Sequence, residues 1–246
     1  MLTSDELKRY NRQIMIRGFG EEGQRKLKGA KVFIAGAGGL GSAVSTYLAA
    51  AGIGMMRVVD YDKVELSNLN RQALHWEDDI GKGKIRSVSQ KLKKLNREVE
   101  IEAIEEMITE VNISQLVAGF DLIVDAMDNL PARYLLNKVA LEKNIPFFHG
   151  AVYGFEGRAT SIIPGRTACL RCIYRGVIPE RQFPVIGVTP AVIGCIQATE
   201  VIKYIVGIGQ LLANKLLIYD GLNMKFTEFR VKKDPNCEHC GHLVEE

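Results

Sequence analysis

The sequence predicts an α/β protein in which a doubly wound, mostly parallel sheet continues into a mixed, antiparallel half. Up to about residue 150, short apolar runs alternate with helical patterns. Beyond that point two antiparallel strand patterns flank one long apolar helix, and no linker rich in Pro, Gly or Ser separates the halves. Alternating strands and helices indicate a parallel sheet with helices on both faces, so we expect one domain over residues 1–246.

The first half of the chain supplies most of the predicted elements. It opens with a helical arm within residues 1–28, helical from about residue 4. The apolar runs predict strands over 31–36, 55–60, 98–104, 120–127 and 146–152. The stretches between them predict helices over 39–52, 83–96, 109–118 and 131–143.

The second half has a different pattern. Residues 157–165 and 216–233 alternate like antiparallel strands, and residues 188–207 predict a long helix. Gln197 and Glu200 interrupt the apolar surface of that helix, so we predict a buried helix and not a membrane span.

Composition and charge narrow the possible classes. The chain has 246 residues, of which 25% are charged, with a net charge of +3. That balance does not indicate a nucleic-acid-binding protein, which usually carries a strongly basic surface. The N-terminal stretch "MLTSDELKRYNRQ" has no apolar core of a signal peptide, so we expect a cytoplasmic protein without a membrane anchor.

A glycine-rich turn joins the first predicted strand to its helix. In "GAGGLGS" (36–42), Gly36, Gly38 and Gly41 have the G-x-G-x-x-G spacing of a Rossmann-like fold, with Gly39 between them. Such a turn lets the backbone approach a phosphate, which then lies at the helix N-terminus. Asp60 ends the next strand, where an acid binds ribose hydroxyls. The turn alone leaves NAD, FAD and ATP open, and a glycine turn needed only for packing is the structural alternative.

Polar residues after these strands favour ATP. Asn68 and Arg71 follow the second strand, Lys84 begins the next helix, and Asp128 with Asn129 follows the fourth strand. Ligands of open α/β sheets bind at the carboxyl edge, where these residues would converge. Arg71 and Lys84 can neutralise a triphosphate while Asp128 holds Mg²⁺, an arrangement that a nicotinamide cofactor does not need.

Six segments in a fixed order resemble the HesA/MoeB/ThiF (ThiF/MoeB) family, the prokaryotic relatives of the ubiquitin-activating enzymes. They are "RYNRQI" (9–14), "GAGGLGS" (36–42), "DYDKVELSNLNRQ" (60–72), "GKGK" (81–84), "DAMDN" (125–129) and "IQATEVIK" (196–203). The resemblance implies that Asp60 binds the ribose of ATP, Arg71 and Lys84 its phosphates, and Asp128 the Mg²⁺ ion. It also implies a homodimer in which Arg12 reaches the ATP of the other subunit.

The resemblance implies a reaction as well. The C-terminal carboxylate of a small ubiquitin-like sulfur carrier protein, of the Gly-Gly type, would attack the α-phosphate of ATP. An acyl-adenylate and pyrophosphate would form, for later sulfur transfer to molybdopterin, thiamine or tRNA. Catalysis would rest on Arg12, Arg71, Lys84 and Asp128. Residues 29–150 would then be the nucleotide-binding half and residues 151–246 the carrier-binding half.

Two C-x-x-C pairs predict a metal site. Cys169 with Cys172 and Cys237 with Cys240 favour a tetrahedral zinc site over disulfides in a cytoplasmic protein. Such a four-thiolate site leaves no open position for water, and the resemblance likewise implies a structural zinc knuckle. His239 lies between the second pair, and we expect it not to be a ligand.

The remaining cysteine bears on the reaction. Cys195 lies in the long apolar helix, where a lone cysteine is usually a small core residue; a nucleophile is the alternative. Several family members carry a cysteine in the loop corresponding to residues 176–190, and Phe183 stands about where it is expected here. We therefore predict adenylation without a covalent thioester or acyl-persulfide step.

Three other functions remain open from the sequence. A nucleotide-dependent oxidoreductase would share the glycine turn but gives no reason for the cations and the cysteine pairs. A binding protein with a degenerate ATP site would not need every polar residue of the reaction. Adenylation of a peptide or another small acid, or tRNA-linked chemistry, would use the same site on a different substrate.

Overall fold

A single eight-stranded sheet runs through the computed structural model, which describes residues 1–174 and 183–243. Its strands are β1 (Lys31–Ala35), β2 (Met55–Val59), β3 (Glu100–Ile104), β4 (Leu122–Asp125), β5 (Phe147–Tyr153), β6 (Glu156–Ile162), β7 (Lys215–Asp220) and β8 (Lys225–Arg230). Their order across the sheet is β3-β2-β1-β4-β5-β6-β7-β8. The first five strands are parallel and the last three are antiparallel, as the sequence predicts.

Helices cover both faces of the sheet. Their bounds are α1 (Ser4–Arg9), α2 (Asn11–Ile14), α3 (Gly20–Gly29), α4 (Gly39–Ala51), α5 (Lys84–Leu95), α6 (Ile113–Leu116), α7 (Leu130–Glu142), α8 (Leu170–Ile173) and α9 (Val188–Val206). Apolar residues of α3, α4, α5 and α9 form the core on one face, and those of α6, α7 and α8 form it on the other. In the described ranges no helix has both the length and the apolar character needed to cross a membrane.

The structure differs from the predicted helices in three places. The N-terminal arm consists of the short helices α1, α2 and α3, and positive φ angles occur at Gly18, before α3, and at Gly20, its first residue. The helix predicted over 109–118 is wrong in length, because only α6 forms there. The Asn112 side chain accepts a hydrogen bond from the Thr109 amide at 2.8 Å, which favours a turn over a helix. Helix α8 was not predicted at all.

The strand order creates the crevice in which ligands of this fold bind. The chain proceeds outward from β1 to β2 and β3, then returns to the other side of β1 for β4 and β5. The carboxyl ends of β1, β2 and β4 are neighbours, with Ala35 paired to both Val59 and Asp125. The loops that follow these strands, including the glycine turn, therefore meet at a topological switch point.

Candidate functional site

A cleft of about 1350 Å³ lies at this carboxyl edge. One end is formed by the loops after β1, β2 and β4, and the other by β5, β6 and the segment around residue 185. Eight of the residues predicted from the sequence line the cleft: Gly36, Gly38, Gly39, Asp60, Arg71, Lys84, Asp128 and Asn129.

The glycine turn is needed for steric reasons. Gly36 has a φ angle of +101°, and a Cβ atom there would lie 2.6 Å from the carbonyl oxygen of Ala126. A Cβ atom on Gly41 would lie 2.0 Å from the carbonyl oxygen of Gly36. Only glycine fits at either position without moving the backbone. The turn thus brings the N-terminus of α4, with its unpaired amides and positive dipole end, to the cleft.

Acidic and basic groups meet beside this turn. The Asp60 carboxylate accepts hydrogen bonds from the Ala37 amide at 2.8 Å and the Asp62 amide at 2.9 Å. Burial raises the pKa of Asp60, although the nearby Lys84 charge and these amides act in the opposite direction. Lys84 is itself buried, and its Nζ donates to the Asp62 carboxylate at 2.7 Å. The ammonium group is therefore held at the cleft wall by a carboxylate.

Arg71 and Gln72 line the same end and have incomplete partners. The Arg71 guanidinium donates to the Ser67 carbonyl oxygen at 2.7 Å and to the Asn70 side chain at 3.0 Å, and no carboxylate pairs with it among the described residues. Gln72 is 4% exposed, and its Oε1 has no hydrogen-bond partner in residues 1–174 and 183–243. A ligand in the cleft can supply what both side chains lack.

Asp128 and Asn129 follow β4 at the centre of the cleft. Asp128 is exposed, and its carboxylate accepts a hydrogen bond only from the Asn129 side chain, at 3.3 Å, within the described structure. Asn129 caps helix α7, because its Oδ1 accepts from the Ala132 amide at 3.0 Å. The adjacent Arg133 is buried and donates to the Met127 carbonyl oxygen at 2.5 Å. Asp128 thus keeps free oxygen atoms for a hard cation such as Mg²⁺.

Three predicted residues do not line the cleft. Gly41 acts through the turn geometry described above. Asn68 is buried, and its Oδ1 accepts from the Glu65 amide at 3.1 Å, which shapes the loop that carries Arg71. Arg12 is exposed on α2 and is absent from the cleft of its own chain. Its role therefore stays a prediction that requires a second subunit.

The opposite end of the cleft has aromatic and charged walls. The Tyr153 and Phe183 rings lie 5.7 Å apart in an edge-to-face arrangement, and both are partly exposed. Arg158 of β6 donates through Nε and Nη2 to one oxygen of Glu156, at 2.9 and 2.7 Å. Of the loop over 176–190, residues 176–182 lie outside the described residues.

A buried chain of hydrogen bonds connects β4 to this second end. The Asp125 carboxylate lies 2.6 Å from Nδ1 of His149, and Nε2 of His149 lies 3.1 Å from the Tyr174 hydroxyl. Both Asp125 and His149 are fully buried, whereas Tyr174 reaches the cleft. Burial lowers the pKa of His149.

The four paired cysteines come together behind α8. Their sulfur atoms all lie within 4.8 Å of one another, and the closest pairs are separated by 3.5, 3.6 and 3.9 Å. Tetrahedral zinc with Zn–S bonds of about 2.3 Å places its sulfur ligands about 3.8 Å apart. The cluster, which consists of Cys169, Cys172, Cys237 and Cys240, therefore fits a zinc ion, and its cysteines are free thiols and not disulfides.

The surroundings of the cluster match a structural metal site. Burial raises the pKa of the Cys169 thiol to about 11 and also raises the pKa of Cys240, so a bound cation is needed to favour the thiolates. His239 is not in the sulfur cluster; its Nδ1 lies 3.1 Å from the Asn137 amide group. Three of the cysteines belong to the core on the α7 face, which the metal would hold together.

Cys195 differs from a typical core cysteine. It is only half-buried on α9, so the expectation of a core residue is not met in full. Burial nevertheless raises the pKa of its thiol, and it does not line the cleft. Neither property favours a nucleophile.

Several residues in or behind the cleft wall escaped the sequence prediction. Gln72 stands next to Arg71 within a recognised segment, but only its missing partner singles it out. The cleft residues Arg158 and Tyr174 and the buried His149 behind them share no local spacing. Strand pairing and the position of α8 bring them together, so no sequence signal was available for them.

Comparisons with known proteins identify the family of the chain. A model of the ThiF family matches residues 10–239. The SAMP-activating enzyme E1 of Haloferax volcanii is 42% identical, over 98% of this chain and 91% of that protein. The sulfur carrier protein adenylyltransferase of Thermus thermophilus is 40% identical, over 97% of this chain and 92% of that protein.

A solved structure extends the comparison to three dimensions. MccB of E. coli, in a crystal structure with ATP, is 28% identical with a TM-score of 0.85, over 97% of this chain and 75% of that chain. The fold, the glycine turn and the near full-length relatives all agree with the resemblance seen in the sequence. The chain belongs to the ThiF family.

Proposed function

We propose that this chain is an adenylyltransferase that activates the C-terminal carboxylate of a small ubiquitin-like sulfur carrier protein with ATP. The proposal rests on the residues at the nucleotide end of the cleft. There a glycine turn, the two cations Arg71 and Lys84 and the exposed carboxylate of Asp128 face one space. Relatives named for the activation of SAMP or of a sulfur carrier support the choice of substrate.

The chemistry required is charge neutralisation and positioning. A C-terminal carboxylate has a pKa of about 3.5, so it is ionised at neutral pH and needs no general base. Its attack on the α-phosphate brings an anion against a polyanion, and pyrophosphate leaves when the acyl–phosphate bond forms. Arg71 and Lys84 reduce this repulsion while the cleft holds the reacting groups in line.

The distribution of residues along the cleft supports a separate place for each substrate. Asp60 and the turn at Gly36 suit the ribose and phosphates of ATP, which would leave the Tyr153 and Arg158 end for the carrier's tail. An oxidoreductase would instead bind a nicotinamide or flavin at that end. Such a function does not explain why Asp128, Arg71 and Lys84 face the cleft. We therefore favour ATP over a redox cofactor.

Two metals have separate tasks in this proposal. Asp128 would hold Mg²⁺, which when bound would neutralise part of the phosphate charge. A structural zinc ion that takes no part in the reaction would be held by Cys169, Cys172, Cys237 and Cys240. The exposed free oxygen atoms of Asp128 support the Mg²⁺ assignment. The distances between the cysteine sulfur atoms support the zinc assignment.

Assembly and location complete the proposal. We infer a homodimer that acts in the cytoplasm, in which Arg12 of each subunit reaches the ATP bound by the other. Arg12 lies exposed on α2, outside its own cleft, and it needs a partner subunit to act on phosphates. The enzyme would release its product as the adenylate, without a thioester, because the chain between Cys172 and Cys195 contains no cysteine.

Pyrophosphate exchange tests the proposal. The protein should incorporate labelled pyrophosphate into ATP only when a carrier with a C-terminal Gly-Gly is present, and a carrier lacking its last glycine should be inactive. NAD(H) should give no binding signal by fluorescence. Exchange that occurs with a small acid but with no carrier protein would show that the substrate is a small acid. Tight NAD(H) binding without any exchange would contradict the proposal that the protein is an adenylyltransferase.

A further inference from the structure

Both polar backbone groups of Ala37, within the glycine turn, are held by side chains from elsewhere in the chain. The Ala37 amide donates to the Asp60 carboxylate at 2.8 Å, and the Ala37 carbonyl oxygen lies 3.0 Å from Nε2 of His75. Ala37 and His75 are buried, and His75 does not line the cleft. The reaction proposed above makes no use of His75, so its contact with the turn calls for an explanation.

The position of the proton on the His75 ring follows from its partners. A carbonyl oxygen only accepts hydrogen bonds, so Nε2 must carry a proton and donate it to Ala37. Burial lowers the pKa of His75, and the charges of Lys91 and Lys84 act in the same direction, so the ring is neutral. Nδ1 therefore has a lone pair, which faces the Ser87 hydroxyl at 3.0 Å.

Helix α5 holds Ser87 in place. Lys91, one turn further along the helix, donates to Ser87 Oγ at 2.7 Å and forms an ion pair with Asp79. Ser87 and Asp79 are both buried. The same helix begins at Lys84, which lines the cleft. One edge of the His75 ring is thus fixed by α5, and the opposite edge contacts the turn.

The hydrogen bond to the Ala37 carbonyl also sets the direction of the next amide. The C=O and N–H groups of a trans peptide point in opposite directions, so the Gly38 N–H points away from His75. Gly38 lines the cleft, and its amide donates to no group within residues 1–174 and 183–243. It directly precedes α4, and free amides at a helix N-terminus bind phosphate oxygens.

We propose that His75 is a positioning residue that holds the Ala37 carbonyl and thereby directs the Gly38 amide toward a phosphate of the bound nucleotide. The inference rests on the proposed function, because it assumes that a nucleotide occupies this end of the cleft. It requires nucleotide binding but not the transfer to a carrier protein, so the two can be tested separately.

Two amide side chains separate the contact with the turn from the rest of the ring. In His75→Gln the amide nitrogen reaches the position of Nε2 and still donates to Ala37, whereas in His75→Asn it reaches only the position of Nδ1. His75→Asn should weaken ATP binding about tenfold, as expected when a hydrogen bond to a charged group is lost, and His75→Gln should stay within about threefold of the wild type. Adenosine, which has no phosphate, should bind the wild type and both variants equally well.

Ser161→Ala is the matched control for a buried hydrogen bond lost elsewhere. The Ser161 hydroxyl is buried on β6 and donates to the Glu200 carboxylate at 2.7 Å. This change should lower the melting temperature and leave the affinities for ATP and adenosine at their wild-type values.

Ser87→Ala is a milder variant that covers the case in which His75→Asn does not fold. It removes the partner of Nδ1 and leaves Nε2 in contact with the turn. The looser ring should weaken ATP binding about threefold without changing the affinity for adenosine. Unchanged ATP binding in Ser87→Ala and in His75→Gln, with His75→Asn unfolded, would contradict the proposal.

NMR tests whether the Gly38 amide itself responds. With alanine labelled by ¹³C at the carbonyl and glycine labelled by ¹⁵N, only glycines that follow an alanine give a signal. These include Gly38 and, outside the cleft, Gly52 and Gly119 as references. Mg²⁺ and ATP should shift the Gly38 signal in the wild type and in His75→Gln, and much less in His75→Asn. The two reference signals should stay in place.

Three results would overturn the proposal: equal ATP affinity in His75→Asn and the wild type, equal losses for ATP and adenosine, or a Gly38 signal that ignores ATP. Equal losses would indicate that His75 only stabilises the fold. Pyrophosphate exchange is measured separately on the wild type. If the protein binds ATP but shows no exchange with any carrier, the proposed adenylation is wrong while the role of His75 stands. If it binds no ATP, both are wrong.

Discussion

The two ends of the cleft use polar side chains in opposite ways. At the nucleotide end, Arg71 has only neutral partners, the Gln72 oxygen has none and Asp128 has one weak partner, all within the described residues. Between β4 and the other end, Asp125 and His149 are buried and hydrogen-bonded to each other. The polar groups of the first end are incompletely paired in the described structure, whereas Asp125 and His149 satisfy each other.

This difference distinguishes polar groups that bind a ligand from polar groups that stabilise the fold. An unpartnered polar group costs stability in the free protein and recovers it when a ligand supplies the missing hydrogen bond. A satisfied buried pair contributes rigidity and leaves nothing for a ligand to complete. Substitutions at the nucleotide end should therefore affect activity more than stability, and those in the buried chain and the cysteine cluster should do the reverse.

The largest effect on activity should come from Asp128→Ala. Loss of the Mg²⁺ ligand at the centre of the cleft should reduce pyrophosphate exchange at least about a hundredfold, because charge stabilisation of this kind is worth that much. The melting temperature should stay close to that of the wild type, since Asp128 is exposed. The exposed Asp78→Ala is the control and should behave like the wild type. Normal exchange in a folded Asp128→Ala protein would remove Asp128 from the mechanism.

The largest effect on stability should come from zinc removal. Freshly purified protein should contain about one zinc ion per chain, and a chelator should lower the free energy of unfolding by several kcal/mol, because metal binding adds to folding. Thermal unfolding with and without the chelator measures this, alongside metal analysis. Cys240→Ser should lose the metal and Cys195→Ser should keep it. Zinc-free native protein, or a disulfide between Cys169 and Cys172, would contradict the site.

Mixed dimers test whether the nucleotide end is also incomplete without a second subunit. Arg12→Ala and Arg71→Ala should each be inactive alone. When the two variants are mixed in equal amounts, half of the dimers should be hybrids, and each hybrid has one intact site and one inactive site. If the sites are shared between subunits, the mixture should therefore regain about a quarter of the wild-type activity. Mass spectrometry under native conditions verifies subunit exchange. Hybrids that form but stay inactive would show that Arg12 does not act across the interface.

The two ends can be compared directly through the effects of Gln72→Met and His149→Leu on stability and on the ATP KM. Gln72→Met removes an unpartnered oxygen, so stability should change by less than about 1 kcal/mol while the ATP KM rises about tenfold. His149→Leu removes the closest partner of the buried Asp125 carboxylate, which keeps only the Met127 amide at 3.0 Å and Arg133 at 3.7 Å, and this loss should cost about 3 kcal/mol. Chemical denaturation and steady-state kinetics measure both. The distinction between the ends fails if Gln72→Met is the more destabilising change.

The smallest effect should come from Cys195→Ser. The cysteine is half-buried, outside the cleft, and its thiol has a raised pKa, so the adenylation rate should stay within about threefold of the wild type. Mass spectrometry of the wild type with ATP and carrier, without reductant, should show no covalent adduct. A thiol-sensitive adduct that disappears in Cys195→Ser would instead identify a nucleophile.

Much of the fold could be read from local patterns. The alternation of apolar runs and helical segments predicted β1 to β5, and the pattern over 216–233 covered β7 and β8 without dividing them. The glycine turn predicted the position of the cleft. The helix over 109–118 was overestimated, because the side chain of Asn112 competes for backbone hydrogen bonds that periodicity does not register. Helix α8 is a single turn held between Cys169 and Tyr174, too short to produce a periodic signal.

The sequence by itself determined the components of the site: the turn at Gly36, the acid at Asp60, the cations and the two cysteine pairs. Each depends on neighbours in the chain, where spacing and residue type decide the local geometry. Only the tertiary structure decided which distant side chains meet. Lys84 with Asp62, His149 with Asp125, and the convergence of the two cysteine pairs depend on strand order and helix packing, because side chains on different elements interact only when the backbone brings them into contact.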